Sequence, residues 1–137
     1  MSVAAASDTE LCTVKVLSGA PHSSIYKALS MIGIGRNAVR RVACMPEREA
    51  IDLVALEQTL AALDGHAAMV VANAGTVNTV DFDDLAAIAA LRDRYPFWLH
   101  VDAAFGAFSA LSAQTAPLLH ALSAPRSLCT DLHKWAN

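Results

Sequence analysis

Aromatic residues are scarce in this chain, at 6%, and charged residues make up 17% against the ~25% of ordinary soluble domains. With 10 basic residues against 13 acidic ones, no basic stripe forms beyond Arg40-Arg41, which argues against a nucleic-acid partner. Cysteine is also sparse. Cys12, Cys44 and Cys129 are odd in number and far apart, and they fit neither a disulfide framework nor a zinc spacing. They read as reduced, buried thiols of a cytosolic protein. Long apolar runs are missing too. Ala67–Ala72 and Leu85–Leu91 fall far short of the ~20 residues of a membrane-spanning helix. Met1–Glu10 lacks the basic-then-apolar pattern of a secretory signal.

What remains is apolar. Hydrophobic residues reach 55%, mostly Ala, Leu and Val, which excludes a disordered chain. A length of 137 residues is one ordinary domain or a piece of one.

Short β-rich or apolar segments alternate with helical stripes. Leu11–Leu17 reads as a strand, and Pro21–Ile32 as a helix ended by Gly33 and Gly35. A second strand is expected over Ala38–Ala43. Asp52 then caps a helix carrying Leu53, Leu56, Leu60 and Leu63. Ala67–Ala72 has the uninterrupted apolar character of a strand covered on both faces. Asp81 opens another helix, with Leu85, Ile88 and Leu91 on one side. Phe97–Val101 is a strand ending at Asp102. Gly106–Leu122 is helical in part, broken near Pro117, and Ser127–Leu132 is the last strand. This alternation predicts an α/β fold: a three-layer, mostly parallel sheet with helices on both faces. Such sheets bind ligands outside the carboxyl ends of their strands. The chemically loaded stretches follow those ends: Gly19–Ser23, Asn73–Asn78, Asp102–Gly106 and Asp131–Lys134.

Each stretch taken alone has a plain structural explanation. Asp102 could cap a helix, His22 could cap another, Gly75-Thr76 could be a turn, and His133-Lys134 could be a solvated pair. The chemical readings are more specific. Lys134 is an amine able to form a Schiff base with a carbonyl cofactor, with Trp135 beside it to exclude water. Asp102, followed by the small Ala103 and Ala104, leaves room for a flat ligand. His22 could stack its ring on such a ligand.

Taken in order, His-Ser-Ser at 22–24, Gly-Thr-Val-Asn at 75–78, Trp-Leu-His-Val-Asp-Ala-Ala at 98–104 and His-Lys-Trp at 133–135 resemble one family. It is the pyridoxal-phosphate-dependent group II amino acid decarboxylases, and the resemblance runs from about Leu17 to Asn137. It implies that the chain binds pyridoxal 5'-phosphate and has the large-domain fold of fold-type-I enzymes. It implies decarboxylation of an L-amino acid to an amine and CO2. Lys134 would hold the cofactor and Asp102 would face the pyridine nitrogen. His22 would stack on the ring and take part in proton transfer, and Ala104 would touch the opposite face. Thr76 would contact the cofactor's edge, and His133 would lie near the phosphate or position Lys134. Two residues depart from the pattern. Leu132 stands where Pro or a small residue is common, and Asp131 where some members carry Asn beside the phosphate. An Asp there repels a phosphate dianion, so Asp131 is left out of the phosphate site.

The resemblance further implies that residues 1–137 form part of a single cofactor-binding large domain. The phosphate loop, other N-terminal segments and a small C-terminal domain would lie outside it. The full-length parent would be a cytoplasmic homodimer, and this piece alone would be poorly soluble and inactive. Phe105 is a candidate contact for the substrate side chain. Alternatives remain at this stage. Aminotransferases, aldolases and desulfurases also place an Asp and a Lys in this order. A metal hydrolase could draw ligands from His100, Asp102, Asp131 and His133. A non-catalytic fragment is the third alternative.

Overall fold

The computed structural model describes residues 14–135. Five strands form one sheet: β1 (Lys15–Ser18), β2 (Val39–Arg41), β3 (Ala68–Asn73), β4 (Trp98–Asp102) and β5 (Ser127–Cys129), in the order β2-β1-β3-β4-β5. Every pairing in it is parallel. Three α-helices connect the first four strands: α1 (Ser23–Met31), α2 (Leu53–Ala61) and α3 (Leu85–Ala90).

The strand order fixes the layers. From β1 the chain crosses to one side, and from β2 onward it crosses back over β1 and continues the other way. Right-handed crossovers in opposite directions put their helices on opposite faces. The packing agrees. Leu56 and Leu60 of α2 and Leu85 and Ile88 of α3 pack against Leu17, Val70, Ala72, Leu99 and Val101. On the other face, Leu29 of α1 packs with Val16 and Val71. Each such side chain contributes ~1.5–3 kcal/mol when fully buried. The direction of winding reverses between β1 and β3, where an open α/β sheet leaves a crevice.

The α/β three-layer expectation is thus met, with differences in detail. Leu11–Leu17 begins outside the described residues, and the strand seen there is Lys15–Ser18. Asp52 caps α2 as expected, accepting from Val54 N at 2.8 Å and Ala55 N at 3.1 Å. Asp81 does not open the third helix. Asp84 caps it instead, accepting from Ala87 N at 2.9 Å, because Asp81 and Asp83 are committed to backbone and guanidinium donors elsewhere. Gly106–Leu122 holds two 3-10 turns, Ala107–Leu111 and Ala116–Leu119, with Pro117 in the first turn of the second. Its missing N–H is tolerated there. The last strand stops at Cys129 rather than Leu132, and Leu132–Lys134 forms a 3-10 turn.

Candidate active site

Two glycines shape the floor of the site. Gly75 follows β3 at φ +84°, a conformation that a side chain disfavours. A Cβ there would meet Gly106 N at 2.9 Å, and a Cβ on Gly106 would meet Ala74 O at 2.2 Å. The loops after β3 and β4 therefore touch backbone to backbone, with Gly106 N donating to Ala74 O at 2.9 Å. The β3 loop is also held from outside. Asp81 accepts from both Arg48 Nε (3.1 Å) and Nη2 (2.5 Å), and from Glu49 N and Ala50 N. The Arg48 guanidinium keeps the Asp81 carboxyl below its ordinary range. Glu49 takes hydrogen bonds from Asn78 Nδ2 at 3.1 Å and Thr79 Oγ1 at 2.7 Å. Bonds from the Thr76, Asn78 and Thr79 side chains bring its pKa down to about 2. Thr76 is buried, and its Oγ1 meets Thr79 Oγ1 at 3.0 Å and accepts from Asp81 N at 3.0 Å.

Above this floor, at the carboxyl ends of β1, β3, β4 and β5, lies a cavity of about 520 Å³. His22, Thr76, Asp102, Ala104 and Lys134 all line it. His133 does not, so of the expected cofactor contacts it alone stands off the wall. The cavity sits where the winding reverses, as the sheet rule requires. A larger groove of about 790 Å³ lies between the starts of α2 and α3 and the 3-10 turn at Ala116–Leu119, and none of the expected site residues lines it.

Asp102 ends β4 in register with Asn73 on one side and Cys129 on the other. Its Oδ1 accepts from Ala104 N at 3.2 Å, so the capping role and the site role coexist. Beside it, Asn73 Nδ2 is buried with no hydrogen-bond partner. His22 likewise does two jobs. It caps α1, with Nδ1 accepting from Ser24 N at 3.3 Å and lying 2.8 Å from Ser24 Oγ, and it lines the cavity. Lys134 reaches the cavity from the turn after β5. Its Nζ lies 2.7 Å from Asp131 Oδ2 and 4.0 Å from the centroid of the Phe105 ring. That pairing keeps the Asp131 carboxyl below its usual range.

Two expectations need correction. Cys44 is only partly buried and Cys129 is exposed, so neither is the buried thiol expected, and Cys12 lies outside the described residues. Trp135 does not shield Lys134. It is 56% exposed, and its ring lies 6.3 Å from Phe108 rather than on the cavity wall. The donors of the alternative metal reading do not converge either. His100 Nδ1 is 2.8 Å from Ser127 Oγ, and burial lowers its pKa. Asp131 is taken by Lys134. Among the described residues no three His, Cys, Asp or Glu side chains could hold a metal ion together.

Sequence reasoning missed Asp83. It is buried, and its two oxygens accept from Ile51 N and Asn73 N at 2.6 Å each. Burial raises its pKa despite both bonds. It ties the strand that carries Asn73 to the segment leading into α2. Within Asp81-Phe82-Asp83-Asp84 every acid reads as a helix cap, and only the fold separates them. Glu49, Arg41 and Cys129 on the cavity wall carried no local signal either.

The comparisons decide the family. The profile of the pyridoxal-dependent decarboxylase conserved domain matches residues 5–137. The chain belongs to the pyridoxal-dependent decarboxylase family. The cofactor expected from the motifs is thus the one this family is named for. The chain is 34% identical to L-2,4-diaminobutyrate decarboxylase of Acinetobacter baumannii over 116 residues, which is 82% of this chain and 22% of that protein. It is equally 34% identical to human cysteine sulfinic acid decarboxylase, over 82% of this chain and 23% of that one. The crystal structure of mouse CSAD in apo form superposes with a TM-score of 0.80 at 32% identity, covering 89% of this chain and 26% of that one. These proteins are carboxy-lyases by name, so the expected enzyme class holds at the level of the family. This decarboxylase-family chain spans about a quarter of the length of the proteins it matches. Among the described residues, no helix is long and apolar enough to cross a membrane.

Proposed function

We propose that this chain supplies the cofactor-binding face of a pyridoxal-phosphate-dependent enzyme that decarboxylates an L-amino acid to an amine and CO2. One observation carries the reading. A carboxylate on β4, Asp102, and an amine after β5, Lys134, open onto the same cavity at the carboxyl edge of the sheet. The donor set fits the cofactor. It combines an amine, an acid, an imidazole and small residues, with the unpartnered Asn73 amide beside the acid.

When bound, the cofactor supplies an electron sink for the carbanion left as CO2 departs. The protein's own residues do the rest. Lys134 would be the covalent anchor through Nζ. Asp102, fixed by Ala104 N, would face the pyridine nitrogen and keep a proton on it. His22 offers a flat imidazole at the cavity rim for stacking and for moving a proton at the reacting carbon. Ala104 leaves space where a larger side chain would collide. Thr76, locked by Thr79 and Asp81, presents a fixed hydroxyl at the edge. His133, next to Lys134 in the turn, would position the anchor.

The test is product analysis. The full-length parent, with pyridoxal phosphate and a panel of L-amino acids, is expected to release amine and CO2. Asp102→Ala is expected to lower kcat ~10²–10³-fold, the range seen when one preorganised electrostatic contact is removed. Release of a keto acid in place of CO2 would overturn decarboxylation in favour of an aminotransferase.

A further inference from the structure

Lys134 does not stand free in the cavity. Asp131 holds it twice: Lys134 N donates to Asp131 O at 3.3 Å, and Nζ pairs with Asp131 Oδ2 at 2.7 Å. The ring of Phe105 covers another side of the ammonium, 4.0 Å away. The face of an aromatic ring attracts a cation electrostatically. Both members of the pair are partly sheltered, with side chains 24% and 30% exposed. His22 and His133 are the other titratable groups that face Asp131, and Asp102 and Cys129 stand beyond the pair on β4 and β5.

An amine attacks a carbonyl carbon through its lone pair, so Nζ must first give up a proton, and a carboxylate paired to the ammonium holds both that proton and the side chain in place. We propose that Asp131 is a positioning residue that parks Lys134 as an ammonium against Phe105, and that this ion pair must open before the cofactor is captured. The inference rests on the reading of Lys134 as the anchor. The capture step balances without any further reactant. Nζ bonds to the aldehyde carbon, and the aldehyde oxygen leaves as water. Two ammonium hydrogens go with that water, and the third stays with the positive charge on the nitrogen. Asp131 therefore changes the rate at which Lys134 is released, not the stoichiometry. This also gives a role to the acid that sits where some family members carry Asn.

The experiment uses the chain's three lysines, Lys15, Lys27 and Lys134, as internal references. Trace acylation of the protein without cofactor, mapped peptide by peptide, reads their relative amine reactivities. Asp131→Asn is expected to raise the Lys134 rate about two- to fivefold relative to Lys15 and Lys27, the factor equivalent to a partly exposed ion pair. It is expected to speed borohydride-trapped capture of pyridoxal phosphate by the same factor. Asp131→Glu should return both rates toward those of the wild type. Raising salt to ~1 M, where screening reaches ~3 Å, should have the Asn effect on Lys134 in the unaltered protein and needs no variant. A Lys134 rate that ignores both salt and Asp131→Asn overturns the proposal. Capture of the cofactor on Lys15 or Lys27 would instead overturn the anchor assignment, while the cofactor-free acylation still reports on the ion pair.

Discussion

The two faces of the sheet are built differently. Facing α2 and α3, Leu17, Val70, Leu99 and Val101 are fully or almost fully buried, and the core cluster they join is apolar. On the opposite face, Val16 and Val71 are covered by α1, but along β4 the row becomes Trp98, His100 and Asp102. Trp98 is 47% exposed, and both Trp98 Nε1 and His100 Nδ1 reach Ser127 Oγ at 2.8 Å. One face thus supplies cohesion. The other grades from a small apolar patch into polar side chains that end at the cavity. A single strand, β4, serves both through its alternation of side chains. Stability and chemistry can therefore be perturbed separately by substituting adjacent residues.

That contrast can be broken by mutation. Leu99→Ala removes a fully buried side chain from the cohesive face and is expected to destabilise the fold by ~2–5 kcal/mol. Its neighbour Trp98→Ala should cost under ~1 kcal/mol, because half of the ring already meets water and the loss centres on one hydrogen bond. Chemical denaturation of both variants checks the difference, and equal losses would erase the distinction between the faces. A smaller effect than Leu99→Ala, about 1–3 kcal/mol, is expected for Asp83→Asn. The amide keeps one acceptor and turns an N–H toward a backbone donor at Ile51 or Asn73. Because burial raises the Asp83 pKa in the fold, ionising it opposes folding as pH rises through that value. The neutral Asn variant should lack that part of the pH dependence, which denaturation at several pH values measures.

The same contrast explains what could be read before the fold was known. The cohesive face was legible because its residues repeat with the period of helix or strand: Leu53, Leu56, Leu60 and Leu63 on α2, and the continuous run in β3. The crossover rule then brought His22, Thr76, Asp102, Ala104 and Lys134 to one sheet edge from alternation alone. Asp83 and Glu49 were not legible, since their partners lie roughly 30 residues away along the chain or more than one turn off. A local pattern carries no information about such pairings. Asp84 and Asp81 were confused for the same reason: both are acids before an apolar stripe, and distant Arg48 decides which one is free to cap. Trp135 failed as a shield because its neighbourhood in sequence says nothing about which way a short 3-10 turn points its ring.

The most direct measurement is covalent mapping. The protein is incubated with pyridoxal phosphate, reduced with borohydride and digested, and the modified peptide is sequenced. The account predicts a pyridoxyl group on Lys134, lost entirely in Lys134→Ala and weakened in Asp102→Ala. A pyridoxyl group on Lys15 or Lys27, with Lys134 unmodified, would contradict it.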